Sequence, residues 1–292
     1  QKSMVELEDK IYTTEKYLAG LMPGESELAS IGVSPDELEA LEKQYNPVKQ
    51  PIPEGLVLMT FDDATVDHYS LAAPILEKYG GRGNFFVCEM AERLGGGDGF
   101  ADKSFFMTWE QIKELYDRGH EIVNHSLTHS RDFIKFDAAG KSAEIKGIED
   151  RCRDFGISKP KVFGYPGGAC NHEMISLLHS LGYHWARGDQ KDIAPLRVGQ
   201  SFYDPLLDCP LALPSFNGAP SFDKRMLKRC VDLASGGRVS ILAYHGIDNI
   251  DFTFMSFEEQ VAYIYELGGR CITFTELEKY IDPIKAYDYW EL

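Results

Sequence analysis

The run Leu56-Val57-Leu58-Met59-Thr60-Phe61-Asp62-Asp63 decides how this chain is read. Five of its first six residues are apolar, the composition of a strand buried on both faces. It stops at two adjacent carboxylates. In α/β proteins the carboxyl ends of parallel strands are where ligands bind. Two acids placed there repel each other unless a metal, another cation or a shared proton relieves them. The relief lies in His125-Ser126-Leu127-Thr128-His129. Two imidazoles in H-x-x-x-H spacing converge on one cation, and one carboxylate completes a three-ligand site with open positions for water. The second carboxylate is then free to act as a base. Taken singly, an Asp-Asp pair is as often a helix N-cap, and an H-x-x-x-H is more often incidental. Here each motif directly follows a strand-like run, Leu56 to Phe61 and Glu121 to Asn124, and the joint placement points to one shared metal site.

Working outward, the 292 residues suffice for one large α/β domain with an added segment, and 43% hydrophobic residues allow a sizeable core. The net charge of -16 argues against nucleic acid and anionic membrane surfaces, which need a basic footprint. No apolar run approaches the roughly 20 residues of a membrane span. No signal peptide is legible, and the start at Gln1 is that of a processed or excised chain. The six cysteines are scattered without a C-x-x-C, which excludes a zinc ribbon and leaves one or two disulfides open.

Residues 1–53 read as a separate helical extension and linker. Val5 to Leu21 is amphipathic, Ser34-Pro35-Asp36-Glu37 opens a short helix to about Tyr45, and Asn46-Pro47 to Pro53 is punctuated by proline. From residue 54 to 292, strand and helix patterns alternate. Strands are expected at Leu56–Phe61, Asn84–Cys88, His120–Asn124, Lys161–Tyr165, Tyr183–Arg187, about Gly199–Tyr203, Arg238–Tyr244 and Arg270–Thr273. Helices are expected at Tyr69–Tyr79, Trp109–Arg118 with Thr108 as cap, about Ala138–Phe155, Glu173–Leu181, Phe222–Ala234, Phe257–Leu267 and Glu276–Ile281. The glycines at Gly95-Gly96-Gly97-Asp98-Gly99 lack the Lys-Ser/Thr of a P-loop and read as a surface loop. Repeated strand–helix units imply a parallel sheet or barrel. Asp62, Asp63, His125, His129, Tyr165, Arg187 and His245 all follow or end strands, which favours a barrel with one active-site mouth.

These residues resemble the polysaccharide deacetylases of carbohydrate esterase family 4. The likeness rests on Thr60-Phe61-Asp62-Asp63, on His125-Ser126-Leu127-Thr128-His129 and on Leu242-Ala243-Tyr244-His245-Gly246, in the family's order, across about 54 to 282. It implies an α/β fold, a distorted (β/α) barrel with fewer than eight complete units, and a divalent metal, usually zinc, with cobalt or another divalent ion as substitutes. It also implies Asp62 as general base, Asp63, His125 and His129 as metal ligands, and His245 as general acid. The chain departs from the pattern in three places. Ala64 stands where a glycine usually follows the Asp pair. Gly164-Tyr165-Pro166-Gly167-Gly168 replaces Arg-x-Pro-Tyr-Gly, so the arginine that would orient the base is missing. Gly167 replaces the tyrosine whose backbone N–H serves the oxyanion, a role a backbone donor retains.

Arg187, at the end of the next strand, is the candidate substitute for the missing arginine. Tyr165, Trp185 and Tyr244 are candidate stacking surfaces for a sugar, and His68 a candidate support for the first motif. His120, His172, His179 and His184 are assigned no role. The expected activity is hydrolysis of N-acetyl groups on a poly- or oligosaccharide, with a carbohydrate as partner and a secreted or periplasmic setting, a cytoplasmic one being the alternative. Rival readings are an O-acetyl esterase on acetylated xylan and a catalytically weak carbohydrate-binding relative.

Overall fold

In the computed structural model the decisive run forms strand β1, Leu56–Phe61, with every residue buried. The structure describes residues 40, 46–91, 97–189, 202–217, 223–247 and 255–291. Alternation along β1 sets two cores, because successive side chains of a strand point to opposite faces. Leu56 and Leu58 pack inward with Phe86, Val123, Val162, Trp185 and Ile241. Val57, Met59 and Phe61 pack outward under a ring of helices, against residues such as Leu76, Ile112 and Val261. A strand covered on both faces has no polar side to show, which is why it reads as a continuous apolar run.

The remaining strands are β2 (Asn84–Val87), β3 (Glu121–Asn124), β4 (Val162–Ala169), β5 (Trp185–Asp189), β6 (Phe202–Tyr203), β7 (Phe216–Asn217), β8 (Val239–Tyr244) and β9 (Arg270–Cys271). Among the described residues they form one curled sheet in the order β5-β4-β3-β2-β1-β8-β6. All pairings are parallel except β6 with β8. The register β1 to β8 runs from Val57↔Ser240 to Phe61↔Tyr244, so Asp62 and His245 leave their strands side by side. Closure between β5 and β8 runs through an irregular segment. Leu213 bridges Arg187, and β7, three residues on, pairs with β8. This is the distorted barrel with incomplete units that the motifs implied.

The helices are α1 (Ala73–Lys78), α2 (Trp109–Asp117), α3 (Ala138–Asp154), α4 (His172–Ser180), α5 (Lys224–Leu233), α6 (Phe257–Glu266), α7 (Phe274–Leu277) and α8 (Pro283–Glu291). Thr108 and Gln111 form the expected capping box on α2. The helix expected from Tyr69 opens instead as a π-helical turn, His68–Ala72. Helix α7 begins earlier than expected because Thr273 and Glu276 make their own capping box. Helix α8 had a legible signal, Pro283 at its first position behind Asp282, whose carboxylate accepts from the Ile284 and Lys285 amides. All six cysteines are buried with no disulfide between them, which removes the disulfide option. Among the described residues no helix is long and apolar enough to cross a membrane.

The stretch after Asn46 is strapped to the closed end of the barrel. Val48 bridges Ile281, and the Asp282 amide donates to the Pro47 carbonyl over 2.8 Å. The helices expected at 5–21 and 34–45 lie outside the described residues, apart from helical Ala40. Gly95 and Gly96 of the glycine loop and the first residues of the strand expected from Gly199 also lie outside them.

Candidate active site at the barrel mouth

Inward-facing positions continue past the ends of the strands and deliver the polar residues. On β1, Leu56 and Leu58 are followed by Thr60 and then Asp62. On β5, Trp185 is followed by Arg187. On β8, Val239 and Ile241 lead through Ala243 to His245. The two loops that begin at Asp62 and His125 are forced into tight shapes. Among the described residues, the non-glycine positions with left-handed backbone are Asp63 (φ 78°), Ala64 (φ 55°), Ser126 (φ 59°) and His129 (φ 54°). Such conformations cost roughly 1–2 kcal/mol each for a residue with a Cβ, and they concentrate where side chains must be aimed. Ala64 therefore bears a strain that the glycine it replaces would not.

The turn between the two histidines is clamped from α3. The Glu144 carboxylate accepts from the Thr128 amide (2.9 Å) and hydroxyl (2.7 Å), and the Glu144 carbonyl accepts from the Leu127 amide. Asn124 accepts from the Ser126 amide at 3.0 Å. Glu144 was not singled out from the sequence. It lies on a helix past the motif, and nothing local marks it.

Asp63, His125 and His129 present donor atoms that all lie within 4.8 Å of one another. His129 Nε2 is 3.3 Å and His125 Nε2 3.7 Å from Asp63 Oδ1. Ligands 2.0–2.1 Å from a tetrahedral centre stand about 3.3 Å apart, so the spacing fits a metal. His125 Nδ1 lies 2.8 Å from the Gly164 carbonyl, which only accepts. Nδ1 therefore carries the proton and Nε2 turns a lone pair toward Asp63, the usual arrangement for a ligating histidine. Burial lowers His125 to about 4 despite the nearby Asp62, so the ring is neutral and free to ligate at pH 7. Asp63 Oδ1 is buried without a hydrogen-bond partner, an orphan that a cation would satisfy.

Asp62 is held differently. Arg187 Nη2 lies 2.5 Å from its Oδ2, and Arg187 Nη1 donates to Thr60 Oγ1 at 3.3 Å. The guanidinium stacks 4.4 Å above the Phe86 ring. Burial alone would push the Asp62 carboxyl up. Arg187, then His125 and His245, outweigh it and bring it from 3.8 to about 2. His245 Nε2 stands 3.8 Å from Asp62 Oδ2, with its side chain 46% exposed toward the mouth. Gly167 sits exposed on the irregular end of β4 with φ 63°, beside the Arg131 side chain. His68 is buried against the base of the His245 loop.

The stacking residues need correction. Tyr165 is 1% exposed and Trp185 0%. Val162 and Gly164 face into the barrel, so Tyr165 faces out, among Phe163, Met174 and Leu211, with its hydroxyl donating to the Leu211 carbonyl. Trp185 does face inward, but one layer below Arg187, packed edge-on against Tyr203. Tyr244 also turns outward and donates to Gln260. None of the three rings offers a face to a sugar.

A mostly parallel barrel with acids and imidazoles converging at the carboxyl ends of its strands is the class defined here. Residues 49–186 match the family model described as polysaccharide deacetylase, and that segment is similar to this family. The chain is 30% identical to a chitin deacetylase of Arthroderma benhamiae over 148 residues, 50% of this chain and 37% of that protein. It is 26% identical to the poly-beta-1,6-N-acetyl-D-glucosamine N-deacetylase of Escherichia coli over 167 residues, 46% of this chain and 25% of that protein. The matched segment thus spans less than half the length of either relative. The chitin deacetylase structure of Colletotrichum lindemuthianum superposes with TM-score 0.54 at 19% identity, covering 79% of this chain and 88% of that one. It shares the fold.

Proposed function

We propose that the chain is a metal-dependent deacetylase that hydrolyses N-acetyl groups on an amino-sugar polymer or oligomer. The observation that carries this reading is the pairing of two carboxylates with opposite fates: Asp63 beside two imidazoles, Asp62 locked to a guanidinium.

Asp63, His125 and His129 would hold a divalent cation, zinc being the first expectation, which when bound polarises an acyl carbonyl and acidifies water. The chain's own residues supply the rest. Asp62 stays ionised because Arg187 holds it so, and it takes a proton from the attacking water. The water oxygen bonds to the acetyl carbon, and the Gly167 N–H is the proposed donor to the oxygen that gains charge. The C–N bond breaks as His245 gives the leaving nitrogen a proton, without which an amine leaves poorly. Acetate and a free amino sugar result. A polymeric substrate would put the protein in a secreted or periplasmic setting.

The test is an acetate-release screen with added zinc or cobalt on chitin oligomers, peptidoglycan and acetylxylan, with Asp62→Asn as control. Release from the N-acetylated substrates by the parent chain, and none by the variant, is expected. Release confined to acetylxylan would replace the amidase reading with an O-esterase one. No release with metal bound would leave a binding protein.

A further inference from the structure

We propose that Asp67 and His68 are positioning residues that fix the general-acid loop, His245 to Ile247, over the base. The inference rests on the reading of His245 as the acid and adds the part that holds it. The β1–β8 ladder ends where the Asp62 amide donates to the Tyr244 carbonyl at 2.8 Å. Beyond that point the turn after β1 is pinned by the Thr65–Phe106 bridge, whereas among the described residues the stretch after Tyr244 has no strand partner to fix it. The His245 ring gets no help of its own: among the described residues no hydrogen bond reaches it, and its polar neighbour is Asp62 at 3.8 Å. Its place is therefore set by its backbone.

That backbone is gripped from the turn after β1. His68 Nε2 lies 2.8 Å from the His245 carbonyl, which only accepts, so Nε2 carries the proton. The Ile247 amide donates to Asp67 Oδ2. The Thr65 hydroxyl donates to Asp67 Oδ1 at 2.5 Å and lies 3.0 Å from His68 Nε2, joining the two halves of the grip. The turn that makes it is the same one that carries Asp62 and Asp63, so base and acid share one support. His68 is held at a disadvantage. Its Nδ1 is buried without a hydrogen-bond partner, and the Phe61 and Phe85 ring centroids lie 5.5 and 6.1 Å from the centre of the His68 ring. An apolar residue would fill that space without burying an unpaired ring nitrogen. What an apolar residue would lack is a donor for the His245 carbonyl. Burial also lowers the pKa of His68, which keeps the ring neutral with its one proton committed to Nε2.

The test uses the full chain and the pair His68→Met and His68→Gln. Met fills the volume without a donor, whereas Gln places an N–H near the Nε2 position. Two substrates separate the acid step from the rest: an N-acetylated chitin oligomer, whose amine must be protonated to leave, and 4-nitrophenyl acetate, whose phenolate leaves without help. For His68→Met, kcat on the amide should fall by about tenfold to a hundredfold, the scale of a misplaced general acid, with kcat on the ester within about twofold and metal content unchanged. His68→Gln should recover most of the loss. Equal losses on both substrates, or no loss on either, would overturn the proposal. Hydrogen exchange reads the grip without any activity: in His68→Met the Ile247 amide should exchange about tenfold faster while the β8 amides keep their rates. An unchanged Ile247 rate overturns the grip even if the protein deacetylates. A faster rate in a protein that deacetylates nothing sinks the proposed function instead.

Discussion

Replacing Arg187 by methionine keeps apolar volume over Phe86 but removes the cation from Asp62. In the parent chain the pair lowers the Asp62 carboxyl from 3.8 to about 2. At about 1.4 kcal/mol per unit, the ionised form favours folding by roughly 2 kcal/mol. Removing one member of a buried pair also strands the other, and such changes cost about 3–5 kcal/mol. Arg187 and Asp62 side chains are each 7% exposed, so solvent does little to soften the loss. We expect Arg187→Met to lose about 3–4 kcal/mol at pH 7. The sign with pH follows. A depressed carboxyl contributes stability above its unfolded value of 3.8 and loses it as pH falls through about 2. In the variant, burial outweighs what remains, the carboxyl rises above 3.8, and stability improves as pH falls through that raised value. The gap between the two proteins should therefore narrow from pH 7 to pH 4.5. Urea unfolding of the full chain with chelator present measures it, and buried Trp185 reports in fluorescence. The double variant with Asp62→Asn should return to within about 1 kcal/mol of the parent, since no charge is left stranded. A single-variant loss below about 1 kcal/mol, or a double variant no more stable than the single, would refute the reasoning.

Asp63→Asn and His129→Ala should each bring the chain to substoichiometric zinc after dialysis, measured by elemental analysis, whereas His245→Ala should keep its metal. Gly164→Ala should cost about 1–3 kcal/mol and weaken metal retention, because its Cβ would fall 2.2 Å from the Phe86 ring and 2.8 Å from His125 Nδ1. Thermal melts and metal content test this together. His120 accepts from the Gly83 amide through Nδ1 and contacts Glu77 through Nε2. Burial, helped by the charges of Arg82 and Arg118, brings it from 6.5 to about 4 against the pull of Glu77. The unfolded chain takes up the second ring proton first, so stability should fall by about 3 kcal/mol as pH drops from 6.5 to 4. His120→Asn, which keeps an acceptor for Gly83, should flatten that slope in pH-dependent urea midpoints.

The strand that ends in Asp62-Asp63 and the turn spanning His125 to His129 were legible because local chemistry marks both. A double-faced strand needs an unbroken apolar run, and a three-ligand site needs its donors at fixed spacing. The strand–helix rhythm, and with it the barrel, followed from the same local periodicity. The faces of individual strands were not legible at the short, irregular ends. Tyr165 and Trp185 are adjacent to the mouth in sequence, yet a shift of one residue or one layer puts their rings in the core. Arg187 could be named as a candidate, but its bond to Asp62 depends on four strands, β2 to β5, curling until β5 faces β1. The clamp by Glu144 and the grip of Asp67 and His68 on the His245 loop join segments far apart in the chain. Sequence dictates what a residue can do with its near neighbours. Which distant partner it meets is decided by how the sheet closes, because the free energy of that closure is spread over the whole core.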